Sequence, residues 1–85
     1  MNQEINRILW KCRRGMREID LLLREFSQNK LNELNKSDID IFNEILNYDD
    51  QRLYDFIFKK EPLDNRVHEK FIETNLKKFN EQGNF

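Results

Sequence analysis

Apolar residues recur along this chain at helical spacing. Ile5, Ile8, Leu9 and Cys12 fall at i, i+3, i+4 and i+7, one stripe on a helix over about residues 3–12. Arg13-Arg14-Gly15 breaks the stripe, and glycine is poor in a helix but easy in a tight bend, so a corner is expected there. Met16, Ile19, Leu22, Leu23 and Phe26 restore the period, and no Pro or Gly stops it before Leu34. Ser37 is placed as the N-cap of a third helix, with Asp38 and Asp40 at its positive end and Ile41, Phe42, Ile45 and Leu46 on its apolar face. Asn47-Tyr48-Asp49-Asp50 reads as a turn with a second capping signal. A fourth helix over about residues 51–59 carries Leu53, Phe56 and Ile57, and Pro62 closes it. Asp64 is placed as the cap of a fifth helix bearing Val67, Phe71, Ile72, Leu76 and Phe79, and residues 81–85 read as a loose tail.

These elements predict an all-α fold, a compact five-helix bundle in a single domain over residues 1–80, with a flexible C-terminal tail at 81–85. Composition agrees. Two Gly and one Pro among 85 residues are too few for a turn-rich β fold. Charged residues make up 36%, yet seven Phe and one Trp still supply a thin core. Net charge is −1, so the whole chain has no strong pull on nucleic acid or anionic lipid. No apolar run approaches the roughly 20 residues that span a bilayer. The first residues resemble neither a secretory signal nor a transit peptide. A soluble cytoplasmic protein is expected, or a processed form in the mitochondrial matrix.

Candidate chemistry is sparse. A single Cys, Cys12, excludes an internal disulfide and reads as a small buried hydrophobe. The single His, His68, reads as a solvated or partly packed side chain in a charged helix. Cys and His this far apart make neither a metal site nor a nucleophile pair. Gly15 and Gly83 alone cannot build a phosphate loop or a dinucleotide fingerprint, so no flavin or nucleotide pocket is expected. Asp49-Asp50 has no cation-loop spacing after it and reads as a cap and turn. Catalysis is therefore not expected of the isolated chain.

One stretch is locally unusual. Arg7, Lys11, Arg13, Arg14 and Arg17 crowd the first corner, with Gly15 at its tip and Glu18 one turn on. A glycine there lets a partner's backbone approach closely. Arg14 and Arg17 offer planar forks for carboxylates, and Glu18 adds an acceptor. Trp10, one turn earlier, supplies an aromatic edge. The residues alone leave three readings open. The patch is a solvated face with ion pairs worth about 0–1 kcal/mol each, an RNA-binding patch, or a docking surface for a protein.

The stretch from Trp10 to Asp20 closely resembles the signature of the SdhE family of succinate dehydrogenase FAD assembly factors. The family's Arg-Gly-x-x-Glu core is met by Arg14, Gly15 and Glu18, with Trp10, Cys12, Arg13 and Asp20 in the flanking places the family favours. Asp49-Asp50 before Leu53-Tyr54 also looks like the family's helix junction. Residues 23–36 carry little of the likeness. The resemblance implies a dedicated chaperone, a monomer when free. It would bind the flavoprotein subunit of succinate dehydrogenase, with fumarate reductase as a second client, and promote covalent attachment of FAD to a client histidine. It implies no tightly bound cofactor, no metal, no nucleic acid and no membrane insertion. The implied partner-binding residues are Arg14, Gly15 and Glu18, supported by Arg13, Arg17, Asp20 and Trp10. The competing expectation is a small regulatory RNA-contacting or antitoxin-like protein, resting on the arginine cluster alone.

Overall fold

The computed structural model describes residues 3–77. Among them are five α-helices and no strand: α1 (Gln3–Lys11), α2 (Arg17–Lys30), α3 (Lys36–Ile45), α4 (Asp50–Lys59) and α5 (Arg66–Phe71). A short 3₁₀ turn, Leu31–Glu33, extends α2, and a π-helical stretch, Ile72–Lys77, continues α5. The expected tail at 81–85 and the core role given to Phe79 lie outside the described residues.

The apolar stripes meet where their spacing predicts, except that Leu9, placed on the first stripe, is 37% exposed. Ile8, Ile19, Leu22, Phe42, Ile45 and Ile72 are wholly buried, each on the inner face of its helix. Three phenylalanines from three helices form the centre. Phe26 meets Phe42 edge-on at 5.2 Å and Phe71 edge-on at 6.3 Å, and Phe42 stacks on Phe71 at 6.0 Å. Cys12 is wholly buried, as its place at the end of the first stripe predicts.

Two helix starts differ from expectation. The cap of α3 is Asn35, whose side chain accepts from the Asp38 amide at 2.8 Å. Ser37 therefore lies inside the first turn, where its hydroxyl has no helix end to close. The cap of α5 is Asn65, accepting from the His68 amide at 3.0 Å. Asp64 instead takes a left-handed φ of 63°, a conformation Asp tolerates better than most residues, and makes the bend after Pro62. The Glu69 carboxylate fastens that bend by accepting from the Leu63 and Asp64 amides at 2.7 and 3.2 Å. The cap of α4 is Asp49, accepting from the Arg52 amide at 2.8 Å.

Phe71, Ile72 and Leu76 are buried as expected, but one position on α5 differs. Val67 is 56% exposed, whereas His68 is only 8% exposed and takes a core position. Burial of an imidazole is tolerable only with partners for both nitrogens. Tyr48 Oη lies 2.8 Å from Nδ1, and Glu44 Oε1 lies 2.8 Å from Nε2. His68 thus pins α5 to α3 and to the α3–α4 turn.

Candidate docking surface

The first corner is short. After α1, the Cys12 amide donates to the Ile8 carbonyl and the Arg13 amide to the Trp10 carbonyl, closing a turn. The chain then runs free of helix from Arg13 to Met16. Met16 precedes α2 with extended backbone and offers no capping side chain. Two carboxylates take over. Asp20 Oδ1, from the first turn of α2, accepts from the Arg14 amide at 2.7 Å. Asp50 Oδ2, from the start of α4, accepts from the Met16 amide at 3.1 Å.

Arg14 faces inward, its side chain only 12% exposed. Its Nε donates to the Lys11 carbonyl at 2.9 Å, at the end of α1. Its Nη2 donates to the Leu46 carbonyl at 2.6 Å, at the end of α3. Its Nη1 donates to the Tyr48 carbonyl at 2.9 Å and to Asp50 Oδ1 at 3.3 Å. Carbonyls at helix C-termini lack intrahelical partners and carry the negative end of the dipole, so a guanidinium suits both ends at once. Four of its five N–H groups are committed within the fold. Asp20 is committed too, its second oxygen pairing with Arg24 at 3.3 Å.

The other expected residues face outward. Gly15, Arg17 and Glu18 are exposed. Neither Arg17 nor Glu18 has a side-chain hydrogen-bond or ion-pair partner among the described residues. Trp10 is 70% exposed, with the Arg13 guanidinium 5.4 Å from its ring centroid. A cation above an indole face is weakly attracted and holds the ring's orientation. Five of the seven expected residues are therefore exposed at the corner, while Arg14 and Asp20 hold it from within.

Gly15 has no internal reason to be glycine. Its φ lies outside the left-handed region, and a Cβ built on it would meet only Asp50 Oδ2, at an ordinary 3.9 Å. The fold would accept alanine here. What glycine adds is a bare strip of backbone facing solvent between Trp10 and Glu18.

Sequence reasoning missed Asp50 as part of this unit. It lies 36 residues from Arg14, beyond the reach of local pattern. The one available signal is the doubled aspartate: a helix start uses one cap, Asp49, and leaves Asp50 unexplained.

Elsewhere the described residues offer little chemistry. Burial pushes the Cys12 thiol up to about 11, outweighing the opposing contact with Ser27. No group of three or more His, Cys, Asp or Glu among the described residues is placed to hold a metal ion. No helix of the described residues is long and apolar enough to cross a membrane.

Residues 6–80 match the model of a family described as the flavinator of succinate dehydrogenase. The chain is 42% identical over 60 residues to the FAD assembly factor SdhE of Legionella pneumophila (strain Paris), covering 71% of this chain and 76% of that protein. It is 44% identical over 59 residues to that of Coxiella burnetii, covering 67% and 72%. The Aliivibrio fischeri protein of the same name is 32% identical over 80 residues, covering 89% and 93%. No solved structure matches the chain. Matched over residues 6–80 by the family model and at 42% identity by a relative over most of both chains, this chain belongs to the succinate dehydrogenase flavinator family, the FAD assembly factors.

Proposed function

We propose that this chain docks on the flavoprotein subunit of succinate dehydrogenase through the outer side of the α1–α2 corner, and so promotes covalent attachment of FAD to that subunit. The flavoprotein of fumarate reductase is a second client of the same kind. Binding is the whole of its contribution: the client supplies the flavin pocket and the histidine that becomes linked. The factor carries no flavin and catalyses no step itself. A binder that prefers one arrangement of the client raises its population by the ratio of its affinities. Holding the histidine and flavin in line then speeds attachment without a new catalytic group.

The observation that carries this reading is Gly15. It is exposed, and neither its backbone conformation nor its neighbours require a glycine. A bare backbone edge that the fold does not need is explained by close approach of another molecule. Around it stand a carboxylate and a guanidinium without side-chain partners among the described residues, Glu18 and Arg17, which are ready for directional contacts.

The test is co-expression with a succinate dehydrogenase flavoprotein subunit, reading flavin fluorescence of the denatured subunit in a gel, beside direct binding measurements. Gly15→Arg keeps the helical circular dichroism and weakens docking by more than about thirtyfold, as blocking the centre of an interface costs about 2 kcal/mol or more. Covalent flavin falls with it. Glu18→Ala weakens docking about tenfold at unchanged Tm. Wild-type flavin attachment with Gly15→Arg would remove the corner from the mechanism.

A further inference from the structure

Asp50 joins the two segments that sequence keeps apart. Its carboxylate holds both neighbours of Gly15: Oδ1 accepts from the Arg14 guanidinium at 3.3 Å, and Oδ2 from the Met16 amide at 3.1 Å. The same Oδ2 lies 3.9 Å from where a Gly15 side chain would begin. The carboxylate therefore sits beneath the bare backbone edge and anchors it on each side. Arg14 ties the other end of this arrangement to the Leu46 and Tyr48 carbonyls, at the turn leading into α4. The α3–α4 turn thus acts as a shelf on which the α1–α2 corner rests.

Nothing about α4 itself calls for this aspartate. Asp49 already caps the helix, and an acid at the next position adds only a modest dipole term, about 0.3–1 kcal/mol. The side chain points instead to a corner 34 residues earlier in the chain. It is 24% exposed, which leaves it screened enough for its two hydrogen bonds to fix geometry.

We infer that Asp50 is a positioning residue for client docking: it touches no client atom, but sets the height and direction of the Gly15 backbone edge that the client meets. This rests on the docking role proposed for Gly15. An interface built on close backbone approach tolerates little displacement, so loosening the shelf should lower affinity more than it lowers stability.

The experiment uses the full chain and the flavoprotein subunit of succinate dehydrogenase. Asp50→Asn keeps the size of the side chain but replaces one acceptor oxygen with a donor, so one of its two bonds is lost. Its reference is Ile72→Val, a mild core truncation in the stretch that continues α5, which lowers Tm while leaving every hydrogen bond of the corner in place. Both are assayed well below their Tm, beside Gly15→Arg. The expected result is at least tenfold weaker docking for Asp50→Asn, against less than twofold for Ile72→Val. Amide hydrogen exchange at Met16 rises in Asp50→Ala, which removes both acceptors, and is unchanged in Ile72→Val. If Gly15→Arg abolishes docking while Asp50→Asn binds like Ile72→Val, Asp50 is structural only and the inference is overturned. If Gly15→Arg docks as wild type, the docking reading itself falls and the inference falls with it.

Discussion

At the scale of single residues, neighbours in the motif have opposite duties. Arg14 is spent on the fold: removing it would take their guanidinium donor from two helix-end carbonyls and the Tyr48 carbonyl, and one of two donors from the Asp50 carboxylate. Gly15, the next residue, contributes nothing internal that alanine would not. Cys12 sits between the stripe and the corner and belongs wholly to the core. Its thiol, pushed from 9.0 to about 11 by burial, makes a pH prediction. A thiol whose folded pKa is raised stays protonated while the unfolded chain ionises, so the folded state binds more protons between those values. Stability is thus unaffected below pH 9 and falls as pH rises from 9 toward 11, by up to about 3 kcal/mol. At pH 8 the native thiol should alkylate about a hundredfold more slowly than the unfolded chain's, by its lower thiolate fraction alone. Denaturant curves of wild type and Cys12→Ala across this range read the first effect, and mass spectrometry of iodoacetamide labelling reads the second. Equal pH slopes for the two proteins would place the thiol outside the core.

At the scale of elements, helix ends are where local pattern and tertiary structure part. Asn35-Lys36-Ser37-Asp38 contains two good caps, and pattern alone cannot choose between them. The Asn35 side chain accepts from the Asp38 amide, so Asn35→Ala should cost about 1 kcal/mol and Ser37→Ala less than about 0.5. Urea midpoints of the two variants decide it, and a larger cost at Ser37 would return the cap to that residue. The helices themselves were legible because their apolar period needs no knowledge of partners. The burial of His68 was not, because it reaches its core position through Tyr48 and Glu44, 20 and 24 residues away. Asp50 escaped for the same reason. Trp10, Gly15 and Glu18 could be picked out as candidates because their types suit close contact. That Arg14 and Asp20 turn inward depended on which carbonyls and amides the folded corner would bring near them.

At the scale of the whole molecule, stability and the proposed docking role fall on different sides of the same short segment. The radius of gyration, 11.9 Å, is that of a well-packed domain of this length, and Trp10 is the most exposed of its large apolar side chains among the described residues. Ile8 and Trp10 show the division, two residues apart on α1. Ile8 is wholly buried, and Trp10 is 70% exposed with the Arg13 guanidinium 5.4 Å from its ring centroid. A large indole held in water by a fold that does not need it fits the anchors that dominate protein interfaces. Ile8→Ala should therefore cost about 2–5 kcal/mol of stability through the cavity it leaves. Trp10→Ala should cost at most about 1 kcal/mol, the value of an exposed cation–π contact, yet weaken docking to the flavoprotein about five- to thirtyfold. Thermal melts and binding isotherms on the same two variants separate the roles. Acrylamide quenching of the one tryptophan gives an independent readout: it should be efficient in the free protein and fall when the client is added. If Trp10→Ala lost as much Tm as Ile8→Ala, the indole would belong to the fold. If quenching stayed the same in the complex, the docked surface would stop short of α1 and lie on the Gly15–Glu18 side of the corner alone.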